Sequence, residues 1–442
     1  FILIYRLSML ELVDGGAAWD EIVMQAKAIE AAGATIINTG IGWHEARVPT
    51  IATSVPRGAF AGVTAKLRPH VALPLVATNR INMPDVAERI LSSGEVDMVS
   101  MARPLLADPA WVTKAREGRT AEINTCIACN QACLDHVFEN KKASCLVNPR
   151  ACAETELVIK PAAQKKKVAV VGAGPAGLAA ATTAAERGHA VTLFDAAAEI
   201  GGQFNLAKKI PGKEEFHETL RYFGTLLAKH GVDVRLNTRV AANDLTGFDH
   251  VLLATGIQPR RVDFEGHDHP KVVSYIDVLT GKVQVGAKAA IVGAGGIGFD
   301  VGEFLVHAGA SPSLDPKAWM AEWGVRPDFE GPGGLTKPHP EAPARDVWLL
   351  QRSEGRPGAK LGKTTGWIHR AALKMKSVKA HGGVEYLKVD DAGFHVRIEG
   401  KDTLLPVDHV VVCAGQEPLR ELEAPLQTAG VKVQRIGGAD VA

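Results

Sequence analysis

Cys126, Cys129, Cys133 and Cys145 stand in the spacing C-x2-C-x3-C-x11-C, taking four of the six cysteines in a chain of 442 residues. Buried free thiols have no need of such clustering. Two chemistries do: a tetrahedral zinc site built from thiolates, and an iron–sulfur cluster that takes three thiolates from one loop and a fourth from further on. The x2 and x3 gaps let one compact loop supply three ligands, and Leu146-Val147-Asn148-Pro149 then turns the chain away. The spacing favours iron–sulfur and leaves zinc open. Cys152 and Cys413 have no partner at ligand spacing and read as core residues.

Two glycine fingerprints follow. Gly172-Ala173-Gly174-Pro175-Ala176-Gly177 succeeds the apolar run Val168-Ala169-Val170-Val171 and opens an Ala-rich stretch. After a strand and before a helix, such glycines permit a tight turn, admit a pyrophosphate to the backbone, and pack helix on strand. Asp195 ends the next apolar run, where an acid accepts from ribose hydroxyls. Gly201-Gly202-Gln203 supplies a second close-approach turn. Gly293-Ala294-Gly295-Gly296-Ile297-Gly298 repeats the pattern, but its following strand, Val347-Trp348-Leu349-Leu350, ends in Gln351-Arg352. An Arg there accommodates a 2′-phosphate that an acid would repel, so NADP(H) is expected over NAD(H). The other reading of Arg352 is an exposed Arg at a strand end.

The elements that must position these groups come from the apolar pattern. Residues 1–117 alternate short apolar strands (1–6, 34–39, 73–78, 97–101) with amphipathic stretches (19–32, 84–92, 108–117), which implies a parallel sheet. Four such units make half of a (β/α)8 TIM barrel. With Phe1 opening directly into an apolar run, the chain reads as a fragment that begins inside a domain, on the C-terminal half of that barrel. The expected fold class is α/β: this half barrel (1–117), a Cys-rich iron–sulfur segment and linker (118–165), then two nested Rossmann-type domains. Family resemblance implies that the second, 281–403, is nested in the first, 166–280 plus 404–442, and that the first binds FAD; Arg352 points the second to NADP(H). Within the second, residues 308–345 hold seven prolines and no clear period, and read as a surface excursion. The formal charge of +1 argues against a nucleic-acid or anionic-membrane partner. No apolar run approaches the ~20 residues of a membrane span, and 1–6 makes a poor signal peptide. A cytoplasmic enzyme acting on small molecules, with no evident obligate protein partner, is expected.

Together these residues resemble the disulfide-reductase-type flavoproteins, in which one dinucleotide fold is nested in another. Ala254-Thr255-Gly256 and Cys413-Ala414-Gly415-Gln416-Glu417-Pro418 match their crossover strands, and Ile436-Gly437-Gly438-Ala439-Asp440 looks like their terminal FAD motif. With the half barrel and four-Cys segment in front, the chain resembles the multidomain, iron–sulfur relatives of old yellow enzyme. Within them it looks most like the bacterial NADPH-dependent 2,4-dienoyl-CoA reductases. Asn38-Thr39-Gly40-Ile41-Gly42-Trp43-His44-Glu45-Ala46-Arg47 and Gly362-Lys363-Thr364-Thr365-Gly366-Trp367 share in that likeness.

The resemblance implies FMN in the half barrel, with Arg6 beside the flavin N1 edge and Asn79, Ala102 and Arg103 near its phosphate. It implies FAD at Gly172, Gly174, Gly177, Asp195, Gly202, Gln203, Thr255, Gly256 and Asp440, and NADPH at Gly293, Gly295, Gly298 and Arg352. A 4Fe-4S cluster on the four cysteines would link the flavins, and His44 would take part in protonating the substrate. The implied activity passes electrons from NADPH through FAD, cluster and FMN to 2,4-dienoyl-CoA in unsaturated fatty acid β-oxidation. Alternatives are an ene-reductase for another activated alkene, or an electron-transfer module that only oxidises NADPH.

Overall fold

The computed structural model describes residues 1–43 and 46–441. In the first region four strands, β1 (Ile4–Leu10), β2 (Ile36–Ile41), β3 (Leu75–Ala77) and β4 (Met98–Val99), pair in parallel in chain order. Helices intervene, as the patterning requires. In Trp19–Ala31 the buried residues Trp19, Ile22 and Ala26 recur at helical spacing. In Pro84–Leu91 the proline presets the first turn, and Val86, Ala87 and Ile90 face the core. The four strands form an open sheet with β1 at one edge. There the expected strand shifts: it runs over Ile4–Leu10, with Leu7, Met9 and Leu10 buried, while Phe1, Ile2, Leu3, Ile4 and Tyr5 are exposed. The apolar pattern of 1–6 looks buried in sequence, but no strand among the described residues flanks that edge.

Two five-stranded parallel sheets follow. The first runs Val433–Arg435, His250–Leu253, Lys167–Val171, Ala190–Phe194, Asp233–Arg235. The second runs Val272–Ser274, His409–Val412, Lys288–Val292, Asp346–Leu350, Lys379–His381. Each is a Rossmann-type sheet with its glycine turn on the central strand. Val272–Ser274 and His409–Val412 lie in the stretches the sequence analysis gave to the first fold, yet they hydrogen-bond into the second sheet. The chain crosses between folds through the antiparallel pair Ile257–Pro259 and Gln416–Pro418. Among the described residues no helix is long and apolar enough to cross a membrane.

The segment 308–345 is a correction. It is no surface excursion but a wedge into the core of the first region. Asp315 caps the helix Pro316–Trp323 by accepting from the Lys317 N–H at 2.8 Å. Trp319, 1% exposed, meets Phe60 edge-on at 5.8 Å, and Trp323 meets Trp367 at 6.3 Å. Further on, the Leu12 N–H donates to the Gly333 carbonyl, and the Gly333 N–H to the Gly16 and Ala17 carbonyls. The apolar positions Trp319, Met320 and Trp323 do have helical spacing, masked in the sequence by the surrounding prolines and glycines.

Candidate functional site

The four clustered thiols come together. Cys126, Cys129, Cys133 and Cys145 line one cavity of about 290 Å³ with Arg103, Leu106, Ile127, Asn130, Leu146 and Val147. Ala128 and Asn130 take left-handed backbone conformations (φ 54° and 62°) that fold the loop back on itself between the first three cysteines. Burial in this apolar pocket pushes the Cys129 thiol up to about 12 and raises Cys133 and Cys145. Opposing that, backbone N–H groups of Gln131, Leu134, Val147 and Asn148 are directed at the sulfurs of Cys129, Cys133 and Cys145. Four converging sulfurs, amide donors and an apolar wall suit a group that carries thiolate ligands. Among the described residues, no three Cys, His, Asp or Glu side chains are gathered tightly enough to hold a single metal ion. Cys413 is buried as expected, but Cys152 is exposed and carries φ 61°.

The two fingerprints have the same geometry, glycine by glycine. A Cβ at Gly172 would lie 2.3 Å from the Ala254 carbonyl oxygen, and one at Gly293 2.7 Å from that of Cys413. At Gly177 and Gly298 it would lie 1.8 Å from the oxygen of the fingerprint's own first glycine. At Gly174 and Gly295, the N-caps of the two helices, a Cβ would meet nothing within 4 Å. The outer glycines are fixed by backbone packing and the middle one faces open space, which is the arrangement a pyrophosphate needs. Asp195 accepts from the Ala173 and Ala197 N–H groups at 2.6 and 2.7 Å, so the acid is tied to the glycine loop itself. Gly202 packs on Gly174, and Gly437 and Gly438 close on Ala176 and Gly256, bringing Asp440 to the same end of the sheet. Gln203 donates to the Ile257 carbonyl and accepts from the Tyr275 hydroxyl, while the Thr255 hydroxyl donates to the Leu419 carbonyl. Arg352 is exposed past the end of Asp346–Leu350, with no hydrogen bond or ion pair of its side chain among the described residues.

In the first region Arg6 and Asn38 are register partners, so their side chains leave the same face. The Asn38 Oδ1 is buried without a hydrogen-bond partner, and an acceptor in that state fits a ligand donor beside Arg6. Asn79, at φ 70°, accepts from the Thr78 hydroxyl and donates to the Thr50 carbonyl. Ala102 caps the short helix Arg103–Ala107. The Arg103 guanidinium turns away from it to bond Asn130 and the Ile51 carbonyl, which ties Arg103 to the cysteine loop. His44, the expected catalytic residue, lies outside the described residues.

Two junctions escaped the sequence reading. Glu215, beside the first nucleotide fold, accepts from Arg80 at 2.6 Å and from both Nε and Nη2 of Arg57. Burial would raise this carboxyl, but the two arginines outweigh it and hold it down to about 2. Asp135, just past Cys133, accepts at Oδ1 from the Thr364 N–H (2.8 Å) and hydroxyl (2.6 Å). The 362–367 motif thus docks the second nucleotide fold on the cysteine segment. No spacing signal announces either pair, because their partners are more than 130 residues apart.

Fold and site together define a two-part flavin- and pyridine-nucleotide-type oxidoreductase. The family model for pyridine nucleotide-disulphide oxidoreductases matches residues 166–442, and that for the NADH:flavin oxidoreductase / NADH oxidase family matches 1–122. The chain belongs to the pyridine nucleotide-disulphide oxidoreductase family, joined to an old yellow enzyme-like flavin oxidoreductase region. It is 33% identical over 443 residues to a metal reductase of Desulforamulus reducens, covering 99% of this chain and 65% of that one. To an NADH oxidase of Thermoanaerobacter brockii it is 35% identical over 446 residues, covering 98% and 63%. The solved complex of 2-naphthoyl-CoA reductase with 2-naphthoyl-CoA matches with a TM-score of 0.86 at 30% identity, over 100% of this chain and 62% of that one. The chain therefore spans just under two thirds of the length of these relatives.

Proposed function

We propose that this chain carries electrons from NADPH to a conjugated acyl thioester, the reaction being reduction of 2,4-dienoyl-CoA to enoyl-CoA in unsaturated fatty acid β-oxidation. The observation that carries the proposal is the shared thiol cavity. Arg103 of the flavin oxidoreductase region lines it, and Asp135, two residues past Cys133, receives the second nucleotide fold. The groups held would be FAD at Gly172, Gly174, Gly177 and Asp195, NADPH at Gly293, Gly295, Gly298 and Arg352, a 4Fe-4S cluster on the four cysteines, and FMN near Arg6, Asn79 and Ala102. Their chemistry, when bound, is conversion of a hydride into single electrons and back. The four units β1 to β4 would act as a barrel segment, with Asn79 and Ala102 past the C-terminal ends of β3 and β4, while Arg6 stands early in β1 beside Asn38. A four-iron group is favoured over zinc by the C-x2-C-x3-C-x11-C spacing, three thiolates from one loop and a fourth from further on. Arg352, exposed just past Asp346–Leu350, supports NADPH because a guanidinium at that strand tip would accommodate a 2′-phosphate.

An acyl thioester is favoured by the similarity to 2-naphthoyl-CoA reductase, whose substrate is also a conjugated CoA thioester. A second reading is favoured by the similarity to a metal reductase and an NADH oxidase: an electron-transfer unit serving a different terminal acceptor. One experiment tests both. Iron, acid-labile sulfide, FMN and FAD are measured per chain, with turnover on dienoyl-CoA and on a dye. Four iron, both flavins and dienoyl-CoA turnover are the expected result. Dye reduction without alkene reduction supports the second reading, and zinc in place of iron overturns the proposal.

A further inference from the structure

A cavity of about 130 Å³ opens where four parts of the molecule meet. The first region contributes Ala52, Thr53 and Ser54 to its wall, the cysteine loop Cys129 and Gln131, and the first nucleotide fold Lys213 and Phe216. The second nucleotide fold and its wedge supply the rest, with Asp300, Glu303 and Trp319 prominent. Cys129 lines both this cavity and the thiol cavity. Two polar atoms on the wall, the Trp319 Nε1 and the Thr53 Oγ1, are buried with no hydrogen-bond partner. Trp319 is only 1% exposed. Orphaned polar groups on the wall of a cavity this size are the partners that enclosed water needs.

Glu303 is the acid without a lysine or arginine partner among the described residues. Asp300 is matched by Lys213 at 2.6 Å, and Glu322 by Lys376 at 3.3 Å. The Glu303 carboxyl receives no hydrogen bond from the described residues, and its one ion-pair contact among them is the His307 ring at 3.9 Å, which is charged only when protonated. That ring already donates to the Glu303 backbone carbonyl at 2.9 Å. His369, facing the cavity from the helix Gly366–Met375, is neutral, with burial pushing it down to about 4. With Asp300 and Glu322 each paired by a lysine, Glu303 is the acid of this cluster that has no lysine or arginine of its own among the described residues.

We propose that this cavity is a water-filled proton chamber and that Glu303 is its exchanging group, giving and taking a proton through the enclosed water. Burial, with Glu322 and Asp300 nearby, pushes the Glu303 carboxyl up to about 8 against the pull of Lys213 and Lys376, so it exchanges near neutral pH. The purpose rests on the reading of the preceding subsection. A hydride is a proton and two electrons. Where electrons pass on singly, the proton is released on the donor side, and one must be taken up where hydride is rebuilt. The chamber touches all four parts between which those electrons would move.

The test is infrared difference spectroscopy of the full chain across a pH range that brackets 8. Wild type is expected to show a protonated-carboxyl band that disappears with a midpoint near 8 and shifts promptly in D2O. In Glu303→Gln, which matches the protonated side chain in size and charge, the band is absent. An unchanged band in Glu303→Gln overturns the proposal, as does a wild-type band that fails to exchange in D2O. So does a midpoint that falls when potassium replaces choline, which would mark a cation site. The measurement needs no bound cofactor, so its failure is distinct from a failure of the iron and flavin analysis.

Discussion

Replacing Glu215 by Gln tests whether the flavin oxidoreductase region is clamped electrostatically to the first nucleotide fold. The Glu215 and Arg80 side chains are 6% and 3% exposed, with N to O at 2.6 Å. Removing the negative charge leaves the Arg80 guanidinium buried with only neutral acceptors, the new amide oxygen and the Val55 carbonyl at 2.8 Å. Arg57 retains Glu218 at 3.1 Å and so suffers less. Orphaning one partner of a buried pair costs about 3–5 kcal/mol. The proton linkage gives a similar figure. Holding the carboxyl from 4.5 down to about 2 is worth about 3 kcal/mol, at ~1.4 kcal/mol per pH unit. Because the folded value is the lower one, this stability is complete above the ordinary glutamate range and is lost as pH falls through about 2. The assay is urea unfolding at neutral pH, followed by tryptophan fluorescence, for wild type, Glu215→Gln, Arg80→Leu and the double variant. The earliest transition should move by the stated amount in Glu215→Gln, and the double variant should lose less than the sum of the singles. A loss in Glu215→Gln below about 1 kcal/mol, the range of exposed pairs, refutes the clamp.

Gly177→Ala and Gly298→Ala each place a Cβ 1.8 Å from a backbone oxygen, and should abolish FAD retention and NADPH binding respectively, read by flavin content and nucleotide titration. Arg352→Ser should cut the preference for NADPH over NADH by roughly 10–100-fold, the worth of a charged hydrogen bond, read as the ratio of kcat/KM values. Trp319→Ala should destabilise the first region by about 3–5 kcal/mol as a core deletion, although Trp319 belongs to the second nucleotide fold in sequence; unchanged urea unfolding would show the wedge to be dispensable. Cys133→Ser should lower iron per chain, while Cys152→Ser, at an exposed position, should leave it unchanged.

What this sequence determined by itself is whatever depends on local spacing. The glycine fingerprints are legible because a tight turn, a backbone approach and a helix packing contact all fall within six residues. The strands around them are legible because parallel, doubly covered strands read as unbroken apolar runs. The cysteine loop is legible because its first three thiols lie within eight residues, so a short turn must bring them together. Tertiary structure alone decided the rest. Nothing local pairs Glu215 with Arg80 or Thr364 with Asp135, since a buried charge or a docking hydroxyl has no periodicity. The segment 308–345 reads as loop because a helix of eight residues is hidden between prolines, and its apolar face has meaning only against Phe60 and Trp367. The strands Val272–Ser274 and His409–Val412 joined the second sheet because hydrogen-bond registry, which sequence does not carry, assigned them there. Glu303 is the sharpest case. On an apolar helix it reads as one more acid, and only the folded molecule gives its two acidic neighbours their lysines and leaves it none.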